Sequence, residues 1–249
     1  MSRILLEVCV DTLEGAWTAA ANGADRIELC AALSEGGLTP SYGFMTAASK
    51  LPVPVYAMIR PRRGDFTYSD AEKALMLQDI EAAERAGLAG IVIGAVNEQQ
   101  ALETDFLAAA LNVSTLPATL HRAIDVVRDY EKAIEEAATL GFERILTSGQ
   151  ADKAYLGMDQ LASAVRVAAG RLSIMAGSGV NAANAANILK RSGVSELHAS
   201  CSAPRSEVPS PQQAETRLGF VAATGERETA AKLVQSLRHV MDLYGEAAA

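Results

Sequence analysis

The chain has 249 residues, and its 49% hydrophobic and 21% charged content is typical of a globular protein rather than a disordered or membrane-spanning one. Its 22 Lys and Arg against 30 Asp and Glu give a formal net charge of −8, which argues against a nucleic-acid or anionic-membrane partner. No apolar run approaches the roughly 18 residues of a spanning helix, and the start lacks a signal peptide's pattern, so we expect a cytoplasmic protein.

Short β-type runs alternate with amphipathic helices along the whole chain. The predicted strands are residues 4–10, 25–30, 53–60, 90–95, 118–121, 143–148, 172–176 and 196–200. The predicted helices are residues 11–22 (capped by Asp11), 41–49, 70–86, 98–111, 126–140, 159–169 and 181–191, and a last helix ending near Tyr244. A long Pro- and Ser-containing loop is expected at about 203–226, before the last helix.

Helical segments between strands imply parallel pairing, because a parallel crossover needs about a dozen residues. Eight such units of about 30 residues each predict an α/β fold, a single (βα)₈ TIM barrel that forms one domain over residues 1–249. The alternative is an open doubly wound sheet.

Side chains alternate along a strand, so a charged residue between apolar neighbours is expected to face the barrel interior rather than the helices. This parity assigns to the interior Glu7, Cys9, Glu28, Cys30, Met58, Arg60, His121 and His198. Asp125 lies just beyond His121 and is expected to turn back over the mouth of the barrel. Each of these residues alone also suits a structural role. Catalytic and binding groups lie at the carboxyl ends of barrel strands, so the convergence of several ionisable side chains there favours a functional site.

The turn after the seventh strand, AGSGV, is a candidate anion site. Barrels frequently bind a phosphate near the loops after strands seven and eight, with backbone N–H groups as donors. We therefore predict that Gly177, Ser178 and Gly179 bind a phosphate group, with a simple tight turn as the alternative.

Several stretches, in the same order along the chain, together resemble the CutC family, which is named for copper homeostasis. They are LEVCVD, GADRIELC, LSEGGLTPS, MIRPRRGDFTYSD, HRAIDVVRD, RILTSGQA, IMAGSGV and ELHAS, and they extend from residue 5 to about residue 202. The resemblance implies a (βα)₈ barrel, a cytoplasmic location, self-association as a dimer or larger homo-oligomer, and a link to intracellular copper. The family's mouth positions fall on Glu7, Cys9, Glu28, Cys30, Arg60, His121, Asp125 and His198. One departure is Ile124, where we expect an aromatic residue.

The first functional hypothesis is Cu(I) binding at the carboxyl-end mouth of the barrel. Cu(I) is soft and prefers thiolate, thioether and imidazole ligands. The expected ligands are Cys9 and Cys30, with Cys201, Met58 or His198 as a third; all three cysteines are expected to be free thiols. Against this hypothesis, the chain has no compact CxxC or Met-rich motif.

The second hypothesis is an isomerase, lyase or hydrolase acting on a small anionic metabolite, phosphorylated or not. Glu7, Glu28 and His121 would serve in acid–base catalysis, or would hold a divalent metal. Arg60 would clamp the anion, and Asp125 would orient His121. The chemistry of the predicted interior side chains slightly favours an enzyme, whereas the resemblance to the CutC family favours a copper role. We take copper binding as the primary hypothesis and keep the enzyme as the alternative.

Overall fold

The computed structural model describes residues 3–205, 213–219 and 226–247. Eight parallel strands form a closed barrel in chain order, and the last strand pairs in parallel with the first. The strands are β1 (Leu5–Val10), β2 (Arg26–Leu29), β3 (Val55–Met58), β4 (Gly90–Ile93), β5 (Ala118–Leu120), β6 (Arg144–Thr147), β7 (Ser173–Ala176) and β8 (Glu196–Ala199). The predicted (βα)₈ TIM barrel is therefore confirmed, and the open sheet is excluded.

The helices that follow the strands lie outside the ring. They are α1 (Leu13–Ala21), α2 (Tyr42–Ala48), α3 (Asp70–Arg85), α4 (Thr104–Asn112), α5 (Tyr130–Leu140), α6 (Met158–Ala168), α7 (Ala185–Ser192), the short α8 (Ala214–Arg217) and α9 (Ala231–Ala247). Capping defines several starts: at α3, the Ser69 side chain and the Glu72 side chain each accept from the other residue's backbone N–H, which forms a capping box. Within the described ranges, no helix is long and apolar enough to cross a membrane.

The α4, α5 and α7 helices begin at least four residues later than predicted, and α1 has a different cap. α1 is capped by Thr12, whose hydroxyl accepts from Gly15 N–H at 3.0 Å, whereas Asp11 accepts from the backbone of Leu33. The α4 helix starts after a turn in which Asn97 accepts two backbone N–H bonds. Such Asn side chains compete with helical hydrogen bonding, which the hydrophobic pattern does not register.

The α5 and α7 helices show the same effect. The chain predicted to start a helix at Val126 instead forms a 3-10 helix, Arg122–Val126, before α5. Before α7, Asn181 N–H donates to Asn184 Oδ1 at 2.9 Å and residues 182–184 form a turn, so the helix begins at Ala185 rather than at Asn181. The chain therefore leaves β4, β5 and β7 through loops longer than the sequence predicts.

The segment predicted as a loop at about 203–226 is only partly described. It begins within an antiparallel ribbon of β9 (Ser202–Pro204) with β10 (Arg227–Thr229), and it also contains α8. Residues 206–212 and 220–225 lie outside the described part of the chain.

The barrel has an apolar layer between strands and helices and a polar interior. Residues of one strand parity, such as Leu6, Ile27, Ile91 and Leu120, are fully buried against the helices. The opposite parity puts charged residues on the axis, and all of the charged residues that parity predicted for the interior are buried. The ionisable side chains of the candidate site therefore belong to the interior-facing parity of the strands.

Candidate functional site

Four buried charged residues form a continuous series of ion pairs inside the barrel, which we call the charge ladder. Its members are Glu7, Arg26, Glu196 and Arg144. Arg26 Nε donates to Glu7 Oε2 at 2.5 Å, and Arg26 Nη2 donates to Glu196 Oε2 at 2.5 Å. Arg144 Nε donates to the same Glu196 oxygen at 2.7 Å. Buried charges are tolerated when they are paired and hydrogen-bonded in this way.

Neither arginine of the ladder is among the residues predicted from the sequence to face the barrel interior. Arg26 has the parity of Glu28 on β2, and Arg144 has the parity of Leu146 on β6, so the alternation rule assigns both to the interior. Their guanidinium groups also lie over the ring of Tyr56, at 5.4 and 5.5 Å from its centroid. Applying the parity rule to every charged strand residue would have identified them.

Glu7 connects the ladder to the mouth of the barrel. In the strand register Glu7 stands opposite Arg26 on β2 and opposite His198 on β8. Its Oε1 lies 2.8 Å from His198 Nδ1. Burial alone raises the pKa of Glu7, but the charge of Arg26 and the hydrogen bond with His198 outweigh it and lower the pKa to about 2. Glu7 is therefore ionised at neutral pH.

Cys9, Glu28 and His198 bring their ligand atoms together at the mouth, and we call these three the mouth cluster. All three residues are buried, and one ligand atom from each lies within 4.8 Å of the others. The register explains the convergence: Cys9 stands opposite Glu28 across β1 and β2, and His198 faces Glu7, two positions before Cys9. His198 Nε2 lies 3.8 Å from Glu28 Oε2.

Burial and neighbouring charges act in opposite directions on the mouth cluster. Burial raises the pKa of Glu28, and the charge of His198 opposes that shift without cancelling it. Burial disfavours the imidazolium form of His198, but Cys9, Glu28 and Glu7 outweigh it and raise its pKa well above the usual value. Because Nδ1 is taken by Glu7, only Nε2 of His198 is available to the cluster, an arrangement found around metal-binding imidazoles.

The cluster differs from the expected thiolate pair of Cys9 and Cys30 with Cys201, Met58 or His198 as a third ligand, because neither Cys30 nor Cys201 is among its members. All three cysteines are free and buried. Cys30 lies beyond the end of β2 and packs with Tyr56, whereas Cys201 packs in the apolar layer. Among the His, Cys, Asp and Glu residues described, the mouth cluster is the only group of three or more whose ligand atoms lie within 4.8 Å of one another. Strand register, not residue parity, causes the difference, because it sets Cys9 opposite Glu28 rather than Cys30.

Burial also makes Cys30 and Cys201 poor thiolates. It is the main reason that the pKa of Cys30 rises well above its usual value, and it raises the pKa of Cys201 to about 12. The Cys30 thiol donates to Glu28 Oε2 at 3.5 Å. Both groups are thus protonated at neutral pH, whereas a soft metal needs a thiolate.

Arg60 is buried at the mouth, as predicted, but its Nη groups contact backbone. Nη1 donates to the carbonyl oxygens of Glu35, Gly36 and Gly37 at 3.2–3.3 Å, and Nη2 donates to Gly64 at 2.8 Å. Its guanidinium carbon lies 5.0 Å from the ring centroid of Phe66. None of the described carboxylates forms an ion pair with it. Arg60 therefore orders two mouth loops while its charge lacks a counter-ion.

His121 is likewise buried at the mouth, following β5. Its Nδ1 accepts from Ala123 N–H at 3.1 Å, and its ring lies 4.9 Å from that of Phe66. Burial, reinforced by the charge of Arg60, lowers the pKa of His121 to about 3. His121 is thus a neutral imidazole, and its buried Nε2 has no hydrogen-bond partner in the described structure.

Asp125 lies in the 3-10 helix Arg122–Val126 after β5, and none of its hydrogen-bond partners in the described structure is His121. Its carboxylate accepts from Thr147 Oγ1, from Ser148 N–H and Oγ, and from Gln150 N–H. It also pairs with Arg122 at 2.7 Å. These partners occupy both carboxylate oxygens, so Asp125 fixes the loop after β6.

A cavity of about 220 Å³ lies at the mouth, above the barrel interior. Its lining includes the whole mouth cluster together with Met58, Arg60, Phe66, His121 and Arg122. The cavity therefore combines a thiol, two imidazoles, a carboxylate and two guanidinium groups around one small volume.

The predicted phosphate turn lies outside the lining of this cavity. Gly177 N–H donates to Thr147 O at 3.0 Å, so its donor is used by the sheet. Ser178 adopts a left-handed φ of 78° and donates its hydroxyl to Asp152 O, and Gly179 packs against Lys153. Phosphate binding at Gly177, Ser178 and Gly179 stays a prediction, with Gly177 N–H unavailable to it.

Comparison with known proteins identifies related sequences over most of the chain. A family model described as the CutC family matches residues 4–203. A "family protein CutC" of Sinorhizobium medicae is 47% identical over 243 residues, which cover 97% of this chain and 98% of the relative. One from Aliivibrio fischeri is 50% identical over 201 residues, which cover 79% and 81% of the two chains.

Solved structures give a matching picture. The "Putative Copper Homeostasis Protein CutC" of Streptococcus agalactiae superposes with a TM-score of 0.76 at 32% identity, covering 79% of this chain and 98% of that one. Thiamine phosphate pyrophosphorylase of Pyrococcus furiosus superposes with a TM-score of 0.61 at 15% identity, covering 97% and 96%, a likeness of fold alone.

Proposed function

The chain belongs to the CutC family, and on that premise we propose that it binds copper, as Cu(I), at the mouth of the barrel through Cys9 and His198. The observation that carries the proposal is the mouth cluster, in which one sulfur, one carboxylate oxygen and one imidazole nitrogen lie within 4.8 Å of one another. The name of the Streptococcus agalactiae relative, which refers to copper homeostasis, points to copper among the candidate metals.

The mouth cluster offers Cu(I) two soft donor atoms and one hard donor atom. Cys9 and His198 supply the thiolate and imidazole ligands that Cu(I) prefers once binding has displaced the proton from Nε2 of His198, and the Met58 thioether lines the same cavity. Glu28 is a hard ligand that Cu(I) does not need. Two soft donors suffice for the low coordination that Cu(I) accepts, so we assign binding to Cys9 and His198 and treat Glu28 as a neighbour.

The test is an anaerobic competition titration of the protein against a chromophoric Cu(I) chelator. Three proteins are compared: the wild type, Cys9→Ser and Cys30→Ser. We expect one Cu(I) per chain for the wild type, an affinity at least 100-fold weaker for Cys9→Ser, and little change for Cys30→Ser. Cys30→Ser is the matched control because it removes a neighbouring buried thiol that lies outside the mouth cluster.

Two results would overturn this proposal. One is binding that survives in Cys9→Ser, and the other is loss of binding in Cys30→Ser but not in Cys9→Ser. A wild type that prefers Zn²⁺ to Cu(I) under the same conditions would also count against it, because a mixed sulfur, nitrogen and oxygen set is one that Zn²⁺ accepts.

A second candidate function is an enzyme, an isomerase, lyase or hydrolase, that acts on a small anionic metabolite. It is favoured by the uncompensated charge of Arg60 and the unpartnered Nε2 of His121, both in residues that line the mouth cavity. Copper binding requires neither group. A ligand that binds the metal-free protein would therefore support this function separately.

We also propose a cytoplasmic location and self-association as a dimer or larger homo-oligomer. Three buried free cysteines suit a reducing compartment. Tyr155 and Leu156 are large apolar side chains exposed next to each other on the loop after β6, a surface that a second copy would cover. Sedimentation of the wild type beside a Leu156→Ser variant tests the association, and a strictly monomeric wild type would contradict it.

A further inference from the structure

We propose that the mouth cavity binds a small hydroxycarboxylate. Its carboxylate accepts a hydrogen bond from His121 Nε2 within the field of Arg60, and its hydroxyl forms a hydrogen bond with Glu28 Oε1. This inference rests on the second candidate function and names its class of ligand. It does not require copper, so its test uses metal-free protein.

His121 is a hydrogen-bond donor, and this follows from its local geometry. Nδ1 accepts from Ala123 N–H at 3.1 Å, so Nδ1 carries the lone pair. The ring is neutral because burial lowers the pKa of His121 to about 3, and the single ring proton therefore lies on Nε2. This N–H is buried and without a partner in the described structure. An orphaned buried donor costs about 1–3 kcal/mol, which a ligand oxygen would offset.

The His121 ring is held in place before any ligand arrives. A Cβ at Gly94 would come within 2.6 Å of Nδ1 and 2.7 Å of Cε1, so the glycine of β4's loop lets the ring lie against the backbone. The Phe66 ring lies 4.9 Å away between centroids. A donor fixed in this way loses little conformational entropy on binding.

Arg60 supplies the charge that favours an anion. It is only 6% exposed, and the four backbone carbonyl groups that its Nη atoms contact supply no negative charge. Arg122, the other guanidinium of the lining, pairs with Asp125, so its charge is compensated. A buried cation without a counter-ion is costly, and a ligand carboxylate would complete the pair.

Glu28 specifies the hydroxyl. Its Oε2 lies near Cys30 and His198, but its Oε1 is buried and has no hydrogen-bond partner in the described structure. Since Glu28, Arg60 and His121 line one cavity, a ligand that bears both a carboxylate and a hydroxyl matches all three groups. The volume of about 220 Å³ equals roughly seven water molecules at about 30 Å³ each, which limits the ligand to small metabolites.

The test is isothermal titration calorimetry on EDTA-treated protein with matched pairs of probes. Lactate is compared with propionate and malate with succinate, so that each pair differs by one hydroxyl, and inorganic phosphate is titrated in parallel. We expect a hydroxycarboxylate to bind at least tenfold more tightly than its partner without the hydroxyl and more tightly than phosphate.

Two variants of one residue test the His121 contact. In His121→Asn the amide oxygen keeps the acceptor for Ala123 N–H while the Nε2 donor is lost, and we expect binding at least tenfold weaker. In His121→Gln the amide nitrogen replaces the Nε2 donor, and we expect affinity within about threefold of the wild type. Arg63→Gln, which removes an exposed arginine of the neighbouring loop, is the control for charge and should bind normally.

The inference is overturned if no probe binds the wild type, if phosphate binds best, or if the hydroxyl makes no difference. It is also overturned if His121→Asn and the wild type bind equally. The paired probes act on the wild type alone, so they decide the matter even if a variant does not fold. Failure of Cu(I) binding would leave these results unchanged, which keeps the two proposals distinguishable.

Discussion

Glu7 lies between the charge ladder and the mouth, and its Oε1 is 2.8 Å from Nδ1 of His198. The same carboxylate holds Arg26 through its other oxygen. The orientation of the imidazole at the mouth is therefore determined from below by a residue that does not line the cavity. Changes in the ladder should reach His198 and the proposed copper site through this one contact.

Replacing Glu7 by Gln should weaken copper binding without removing a ligand. We expect the Cu(I) affinity to fall about 10–100-fold, because His198 loses the carboxylate that orients it. We also expect a loss of roughly 3 kcal/mol in the free energy of unfolding, because one partner of a buried ion pair is removed. Chelator competition and urea unfolding measure the two effects. Glu81→Gln, in an exposed pair with Arg85, is the control and should alter neither.

Stability should fall on mild acidification because of His121. Its pKa is about 3 in the folded protein against an ordinary 6.5, so between these values the unfolded chain binds the extra proton. Stability is therefore full above about pH 7 and is lost as pH falls, by up to about 2 kcal/mol at pH 5, at 1.36 kcal/mol per pH unit below 6.5. Urea unfolding at pH 7 and pH 5 measures the loss. In His121→Gln this part of the pH dependence should vanish, and an equal loss in both proteins would assign it to other groups.

Asp125→Asn should loosen the loop after β6 while leaving the barrel intact. The carboxylate accepts from Thr147, Ser148 and Gln150, and an amide cannot accept all of these bonds and still pair with Arg122. We expect about 2 kcal/mol lower stability, from the loss of charge-assisted bonds, and faster amide hydrogen exchange confined to residues 147–151. Unchanged exchange there would show that the loop is held by other contacts.

Glycine 157 should be intolerant of any side chain. A Cβ at Gly157 would lie 2.0 Å from the carbonyl oxygen of Ser148, a backbone atom that cannot swing aside. We expect Gly157→Ala to cost about 3 kcal/mol, at the upper end of the range for overpacking. Gly43→Ala is the matched control. Gly43 lies in α2 with no atom within 4 Å of an added Cβ, so alanine there should stabilise the protein by about 0.5–1 kcal/mol. Thermal unfolding of both variants measures the two effects, and equal midpoints for Gly157→Ala and the wild type would contradict the prediction.

Parity along the strands was enough to predict much of the site from sequence. A charged residue between two apolar ones has only one favourable side of a barrel strand, and Glu7, Glu28, Arg60, His121 and His198 are all buried as that rule requires. The eightfold alternation of strand and helix similarly identified the closed barrel.

Strand register, by contrast, cannot be read from one strand at a time. Parity alone made Cys9 and Cys30 equally good candidates for metal ligands. The pairing of β1 with β2 shows that Glu28, and not Cys30, stands opposite Cys9. The first residues of α4 and α7 were predicted wrongly for a different reason. Asn97 and Asn181 form local turns within polar segments, which delay the start of each helix. Both features depend on individual hydrogen bonds rather than on periodicity.

The charge ladder has a consequence for how the ring is assembled from its two halves. Glu7 and Arg26 belong to the first four strands, and Arg144 and Glu196 belong to the last four. Each half thus brings one acid and one base that already contact each other. Only the Arg26–Glu196 pair is added when the halves meet. Neither half leaves a ladder charge without a partner of its own, and closure of the barrel joins two ladder pairs that are each electrically neutral.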